Sequence, residues 1–153
     1  MADDTWTGGC QCGAVRYAIA SRPRQPLICH CRMCQKQVGG PFGAYAETDA
    51  AEFTVTRGAL SYFRSSDTGE RSFCRDCGTP LGFRYQGGAV FAITIGSLDR
   101  HAELSPEMQA GIESRVPWFA GLALLPERPT AEIAAHNRQH PDHETERWPP
   151  GRR

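Results

Sequence analysis

The sequence has no excess of charge of either sign, almost no lysine and no long apolar run. Its 153 residues carry 17 basic and 17 acidic side chains, so the formal net charge is zero. A chain without excess positive charge lacks the bulk attraction that drives non-specific binding to nucleic acid or to an anionic membrane. All basic residues except Lys36 are arginine, so a local arginine site for an anionic ligand remains compatible with the sequence.

Signals for export or membrane insertion are also missing. Residues 1–5 are polar and acidic and lack the basic start and apolar run of a signal peptide. The longest uncharged stretch, residues 85–98, contains three glycines and is shorter than the roughly 20 residues of a membrane-spanning helix. We therefore predict a cytoplasmic protein. In a reducing compartment its seven cysteines are expected to be metal ligands rather than disulfides.

Short segments with strand-like alternation indicate an all-β domain with little helix. Val15, Tyr17 and Ile19 alternate with more polar residues, as in a half-buried strand. Turn residues recur between such segments, and no long helical period interrupts them. One short helix is predicted to begin at residues 105–107, because Ser and Pro suit its first positions. The further predicted strands are residues 27–30, 43–47, 52–56, 60–64, 71–73, 81–85 and 89–95.

The composition changes after Pro126. We predict one domain over residues 1–126, which is long enough to bury a core. Residues 127–153 are rich in charge, His and Pro. We expect this tail to be poorly ordered or wrapped over the surface, with a helical turn at residues 131–136.

Three cysteines within six residues are the strongest chemical signal. Cys29 and Cys31 are two apart, so on an extended strand they share one face. Cys31 and Cys34 have the C-x-x-C spacing typical of metal-binding turns. Three thiolates can therefore converge on one ion. A fourth cysteine is not nearby, which favours the open coordination position of catalytic zinc sites.

The other four cysteines form two close pairs. Cys10 and Cys12 precede one glycine, and Cys74 and Cys77 precede another. Together they can make a closed, structural four-cysteine zinc site. The seven cysteines thus divide into one closed site and one open site. All-thiolate ligation indicates zinc, although iron would also fit the four-cysteine site.

Three alternatives stay open at this point. The chain could hold one four-cysteine site and three cysteines that are simply buried. The second site could be closed by His30 or by a tail histidine, His140 or His143, although His30 should face away from its neighbouring cysteines. Cysteines 29, 31 and 34 could also be the reactive thiols of a redox or zinc-storage protein.

Several segments, in this order and spacing, resemble the glutathione-dependent formaldehyde-activating enzyme family, which includes centromere protein V. The resemblance extends over about residues 7–118, and residues 113–118 resemble a late motif of the family. The segments that carry it are Gly9–Tyr17, Cys29–Cys34, Gly58, Phe73–Leu81 and Ile95–Asp99.

The resemblance implies a β-tent fold, in which small antiparallel sheets are stapled by zinc. It implies a carbon–sulfur lyase, similar to S-(hydroxymethyl)glutathione synthase, that adds glutathione or another thiol to formaldehyde or a related aldehyde. The implied partners are a small-molecule thiol and an aldehyde, whereas the balanced charge disfavours nucleic acid and the short uncharged stretch disfavours a membrane. It implies structural Zn²⁺ on Cys10, Cys12, Cys74 and Cys77, and catalytic Zn²⁺ on Cys29, Cys31 and Cys34.

Residues near the second cluster suggest a mechanism. A thiol bound at the open zinc position would ionise and attack the aldehyde carbonyl. Arg32 and Arg75 are candidates to offset the negative charge of the site. His30 is a candidate general acid for the alkoxide. Gly39 and Gly40, with Arg32, are candidate co-substrate-binding residues, because glycine lets a ligand approach the backbone. The competing interpretation is a non-catalytic zinc module that binds another macromolecule.

Overall fold

The computed structural model describes residues 4–130 and 137–145. These contain ten β-strands, one short α-helix and several 3-10 turns, which confirms the all-β prediction. No helix in these two ranges is long and apolar enough to cross a membrane. The helix α1 is Arg32–Val38. The strands are β1 (Trp6–Gly9), β2 (Arg16–Ile19), β3 (Arg24–Cys29), β4 (Gly43–Asp49), β5 (Phe53–Arg57), β6 (Ser61–Arg64), β7 (Gly69–Phe73), β8 (Pro80–Tyr85), β9 (Val90–Thr94) and β10 (Met108–Ala110).

The strands form a small and a large sheet. The small sheet has the order β1-β2-β5 and the large one β10-β3-β4-β9-β8-β7-β6. Their pairs are antiparallel except for β10 with β3. Aromatic rings join the two sheets: Phe53 lies 4.9 Å from Tyr17 and 4.4 Å from Phe91, measured between ring centroids. The core around them is closed to solvent and includes Trp6, Ile19, Leu81, Ile93 and Leu98.

The register of the large sheet places four side chains in one row. Phe63 lies opposite Arg71, and Arg71 lies opposite Phe83. Phe83 in turn lies opposite Ala92. Directly opposed residues point to the same face of a sheet, and residues two apart in a strand do so as well. Tyr85 therefore extends the row beyond Phe83. This face forms one wall of the cleft described below.

The local predictions fail in three places. Residues 105–107 form no helix, because they lead directly into β10 and Glu107 donates its N–H to the Pro26 carbonyl at 2.7 Å. Arg24–Pro26, which precede the strand predicted at residues 27–30, are the first residues of β3. The helix α1 was not predicted, since seven residues are too few to show a helical period. It begins after Cys31, whose sulfur accepts the Cys34 N–H, and ends at Gly39, which has a φ of +67°.

Residues 137–145 of the polar tail lie against the small sheet. The His140 N–H donates to the Gln11 carbonyl at 2.8 Å. Arg16 binds the Glu144 carboxylate at 2.7 Å, and Arg57 donates to the Thr145 carbonyl. This part of the tail therefore covers the turn between Cys10 and Cys12. The helical turn predicted at residues 131–136 lies outside the described residues.

Candidate metal centres and active-site cleft

Four cysteines from two turns meet in a closed cluster. Cys10 and Cys12 follow β1, and Cys74 and Cys77 follow β7. The sulfur of Cys12 lies 3.6 Å from that of Cys10 and 3.9 Å from that of Cys74. All four sulfurs lie within 4.8 Å of one another. Sulfurs bound to one tetrahedral zinc are about 3.8 Å apart, so this donor set fits a closed zinc site.

Backbone groups hold the two turns together. Thr79 accepts the Gln11 N–H on its hydroxyl and the Cys74 N–H on its carbonyl, both at 3.0 Å. The Val15 N–H donates to the Cys10 sulfur at 3.2 Å. Burial raises the pKa of the Cys10 thiol. A thiolate at this buried position therefore needs a nearby cation, which a bound metal would supply.

The other three cysteines form a second, open cluster. The sulfurs of Cys29, Cys31 and Cys34 lie within 4.8 Å of one another. Cys29 ends β3, Cys31 caps the N-terminus of α1, and Cys34 lies in its first turn. In residues 4–130 and 137–145, no fourth Cys, His, Asp or Glu joins this cluster. Three protein ligands and one free side are the arrangement of catalytic zinc sites.

Arg71 is the cation beside the open cluster. Its guanidinium donates to the Cys34 sulfur at 3.6 Å and to the Gln37 side-chain oxygen at 3.0 Å. It also lies 5.1 Å from the centroid of the Phe83 ring. The side chain is buried, and its Nε has no hydrogen-bond partner among the described residues. Arg71 therefore places a poorly solvated positive charge against one of the candidate metal ligands.

Neighbouring groups affect both the pKa of the Cys31 thiol and the space around its backbone. Burial opposes its ionisation, but the Cys34 N–H, the adjacent thiols and the charge of Arg71 outweigh burial and lower the pKa of Cys31. Burial raises the pKa of Cys29 to about 12. On the other side, Gly111 has a φ of +63°, and a Cβ there would lie 2.7 Å from the Cys31 nitrogen. Only glycine fits this close approach between the chain after β10 and the cluster.

Two adjoining cavities open beside the cluster. The cysteine lobe has a volume of about 320 Å³, and the cationic lobe has a volume of about 470 Å³. Met33, Ser65 and Arg71 belong to the walls of both. Among the residues that the structure describes, no Asp or Glu lines either lobe. The cysteine lobe is also lined by Cys29, Cys31, Cys34, Tyr45, Phe83, Tyr85 and Ala92, and the cationic lobe by Arg32, Lys36, Gln37, Phe63 and Phe73.

Comparison with known proteins shows which family the chain belongs to. A family model described as glutathione-dependent formaldehyde-activating enzyme matches residues 5–114. The chain belongs to this family. The match includes all seven cysteines and confirms the resemblance seen in the sequence.

Two curated proteins and one crystal structure illustrate the relationship. An uncharacterized lyase of Schizosaccharomyces pombe is 34% identical over 54% of the chain and 60% of its own length. A Halomonas elongata protein, provisionally named a glutathione-dependent formaldehyde-activating enzyme, is 34% identical over 48% of the chain and 52% of its own length. The chain thus spans less than two thirds of both relatives. A Rhodobacter sphaeroides protein has the same fold, with a TM-score of 0.56, 21% identity, and coverage of 68% of this chain and 99% of its own.

The two arginines predicted to offset charge lie at different places. Arg32 is exposed on α1, donates to the Gln35 side-chain oxygen at 2.5 Å and lines the cationic lobe. Arg75 is exposed in the turn of the four-cysteine cluster. Sequence reasoning missed Arg71, the cation that contacts the open cluster. The sequence did contain an indication of its position. Arg71 is two residues from Phe73 on a strand, so its side chain lies on the same face as an apolar residue.

The remaining candidates surround the cleft without lining it. His30 is fully buried, and its ring packs edge-on against Phe119 at 4.8 Å between centroids. Its Nε2 lies 3.0 Å from the Gln109 side-chain oxygen. Gly39 ends α1, and Gly40 follows it. These contacts give His30 a packing role beside β10, and its catalytic role stays a prediction, as do the binding roles of Gly39 and Gly40.

Proposed function

We propose that this protein is a zinc-dependent enzyme of the carbon–sulfur lyase type, which joins glutathione or a similar thiol to formaldehyde or a related aldehyde. One observation carries the proposal: three cysteine sulfurs converge on a point whose free side faces a cleft. Membership of the glutathione-dependent formaldehyde-activating enzyme family supports the reaction class.

Zinc fits both clusters, because their sulfurs are close enough to share one ion. The four-cysteine cluster would hold a structural ion that links the ends of β1 and β7. Cys29, Cys31 and Cys34 would hold the second ion. When bound there, zinc supplies the positive charge that turns a coordinating substrate thiol into a thiolate near neutral pH.

Arg71 would offset part of the negative charge of this arrangement. Three cysteinates and one substrate thiolate around a divalent ion leave a net charge of −2. The Arg71 guanidinium, 3.6 Å from the Cys34 sulfur, offsets part of it. Gln37 keeps the guanidinium in place, since its side-chain oxygen accepts from both Arg71 and the Tyr45 hydroxyl.

The reaction itself needs no oxidant or reductant. The thiol sulfur forms a bond to the carbonyl carbon, and the carbonyl π bond opens onto its oxygen. The proton that leaves the thiol returns to that oxygen. Arg71 lines the lobe where this oxygen would lie, so its guanidinium charge would stabilise the negative charge that develops there. The reverse reaction breaks the carbon–sulfur bond.

The proposal is tested by comparing the wild type with Cys31→Ser. We expect wild type to hold two zinc ions, to bind glutathione, and to accelerate the exchange between formaldehyde and its glutathione adduct in magnetization-transfer NMR. Cys31→Ser should hold one ion, stay folded and lose both other properties. If wild type holds two ions but no thiol binds and no exchange is accelerated, the enzyme proposal fails and the binding-module interpretation replaces it.

A further inference from the structure

The cleft is much larger than formaldehyde requires. The cysteine lobe alone has a volume of about 320 Å³. Formaldehyde has two heavy atoms and needs little more than the about 30 Å³ that one water molecule takes up in the liquid. Pockets that bury drug-sized ligands begin at about 300 Å³. A carbonyl as small as formaldehyde would leave most of this lobe filled with water.

The walls of the lobe are apolar and partly exposed. Phe83 and Tyr85 form an edge-to-face ring pair with centroids 4.9 Å apart, and Tyr85 is 61% exposed. Met33 stands on α1 and is 53% exposed. Ala92 lies beside Phe83 in the sheet and leaves space above it. Large apolar side chains that face solvent around a cavity are typical of ligand sites.

The neighbouring lobe combines apolar walls, which include Met33, Phe63 and Phe73, with a concentration of positive charge. Arg32, Lys36 and Arg71 line it, and no described acidic residue does. Neither Arg32 nor Lys36 forms a salt bridge within the described residues. This lobe therefore suits the carboxylates of an acidic thiol. The sulfur of that thiol would extend beyond Arg71, which lines both lobes, to the open cluster.

We propose that the carbonyl substrate carries an apolar group of about the size of a phenyl ring, which occupies the cysteine lobe, while the body of an anionic thiol occupies the cationic lobe. This inference rests on the proposed function and narrows its substrate class. The bond changes are those given above, because the apolar group takes no part in the chemistry.

Binding of stable product analogues tests the inference without turnover. S-benzylglutathione and S-methylglutathione are thioethers that differ only in the apolar group. Calorimetric titration of the zinc-loaded protein should show tenfold to hundredfold tighter binding of the benzyl compound, as expected for burial of one aromatic ring. Equal affinities, or no binding of either compound, would overturn the inference.

Three variants locate the effect. Tyr85→Ala should remove most of the preference for the benzyl compound. Tyr62→Ala is the matched control, since Tyr62 is 43% exposed on the same sheet and lines neither lobe. Lys36→Gln should weaken both compounds by the same factor, because it acts on the glutathione part. A benzyl preference that persists in Tyr85→Ala would contradict the assignment of the apolar group to the cysteine lobe.

Turnover separates this inference from the proposed function. With glutathione as the thiol, the enzyme should favour benzaldehyde, whose adduct S-benzylglutathione mimics, over formaldehyde by at least tenfold in kcat/KM after the uncatalysed rates are subtracted. Equal or better use of formaldehyde would overturn the inference and leave the proposed function intact. Absence of turnover with every aldehyde would overturn the proposed function itself.

Discussion

Replacing Arg71 by Gln should weaken metal binding at the open cluster alone. The guanidinium lies 3.6 Å from the Cys34 sulfur in a buried position. Two unit charges about 4 Å apart interact by about 4 kcal/mol at an effective dielectric constant of about 20. Water entry and relaxation after the substitution reduce this loss. We therefore expect zinc affinity to fall about tenfold to hundredfold, or about 1.4 to 2.8 kcal/mol, as for other residues that contact metal ligands.

Competition with a chromogenic chelator measures this change, because it resolves two ions of different affinity. Arg71→Lys should regain most of the affinity, since it restores the charge. Arg84→Gln is the matched control: Arg84 lies on the adjacent strand, points to the opposite face from Phe83, and pairs with Glu70 at 3.0 Å. The four-cysteine site should be unchanged in all three variants.

Two results would refute the reasoning. If Arg71→Gln keeps zinc affinity at the second site within twofold of wild type, the guanidinium does not stabilise the thiolates. If Arg71→Lys is as weak as Arg71→Gln while the thermal midpoint stays unchanged, the shape of the side chain matters and its charge does not.

Three further predictions follow from burial, backbone geometry and protonation. Cys74→Ser should leave the protein unfolded in far-UV circular dichroism, because a structural zinc supplies about 10 to 16 kcal/mol, as much as a whole domain's stability. A variant that stays folded would contradict this. Gly111→Ala should displace Cys31 and lower the zinc content to one ion per protein. Gly39→Ala is the control and should keep two ions, because Gly39 has a similar positive φ but nothing within 4 Å of an added Cβ. If both variants lose the same amount of zinc, the steric explanation is excluded. Burial and nearby guanidinium groups lower the pKa of His140 below its usual 6.5, so its contribution to stability is present above pH 6.5 and is lost as the pH falls below that value. Urea unfolding between pH 5 and 8 should show this loss in wild type and a smaller one in His140→Gln, and identical pH profiles would disprove it.

The sequence by itself determined the class of fold and the grouping of the cysteines. Alternating apolar residues predicted the strands, because a strand with one buried face has a period of two. The division of the cysteines into four and three was predicted because C-x-C and C-x-x-C spacings let one turn aim two sulfurs at one point. Each C-x-C or C-x-x-C pair is a local signal, and the structure brings together the same sulfurs, with Cys12 meeting Cys74 from 62 residues away in sequence.

Tertiary structure alone decided what surrounds the open cluster. Arg71 reaches Cys34 from a strand 37 residues away in sequence. The row from Phe63 to Ala92 depends on the register of four strands, and a shift by one residue would turn every one of these side chains to the other face. The close approach of Gly111 to Cys31 depends on the parallel pairing of β10 with β3. Spacing along the chain predicts the metal ligands. The charge and shape of the cleft depend on which distant strands pair, and no local sequence pattern predicts that pairing.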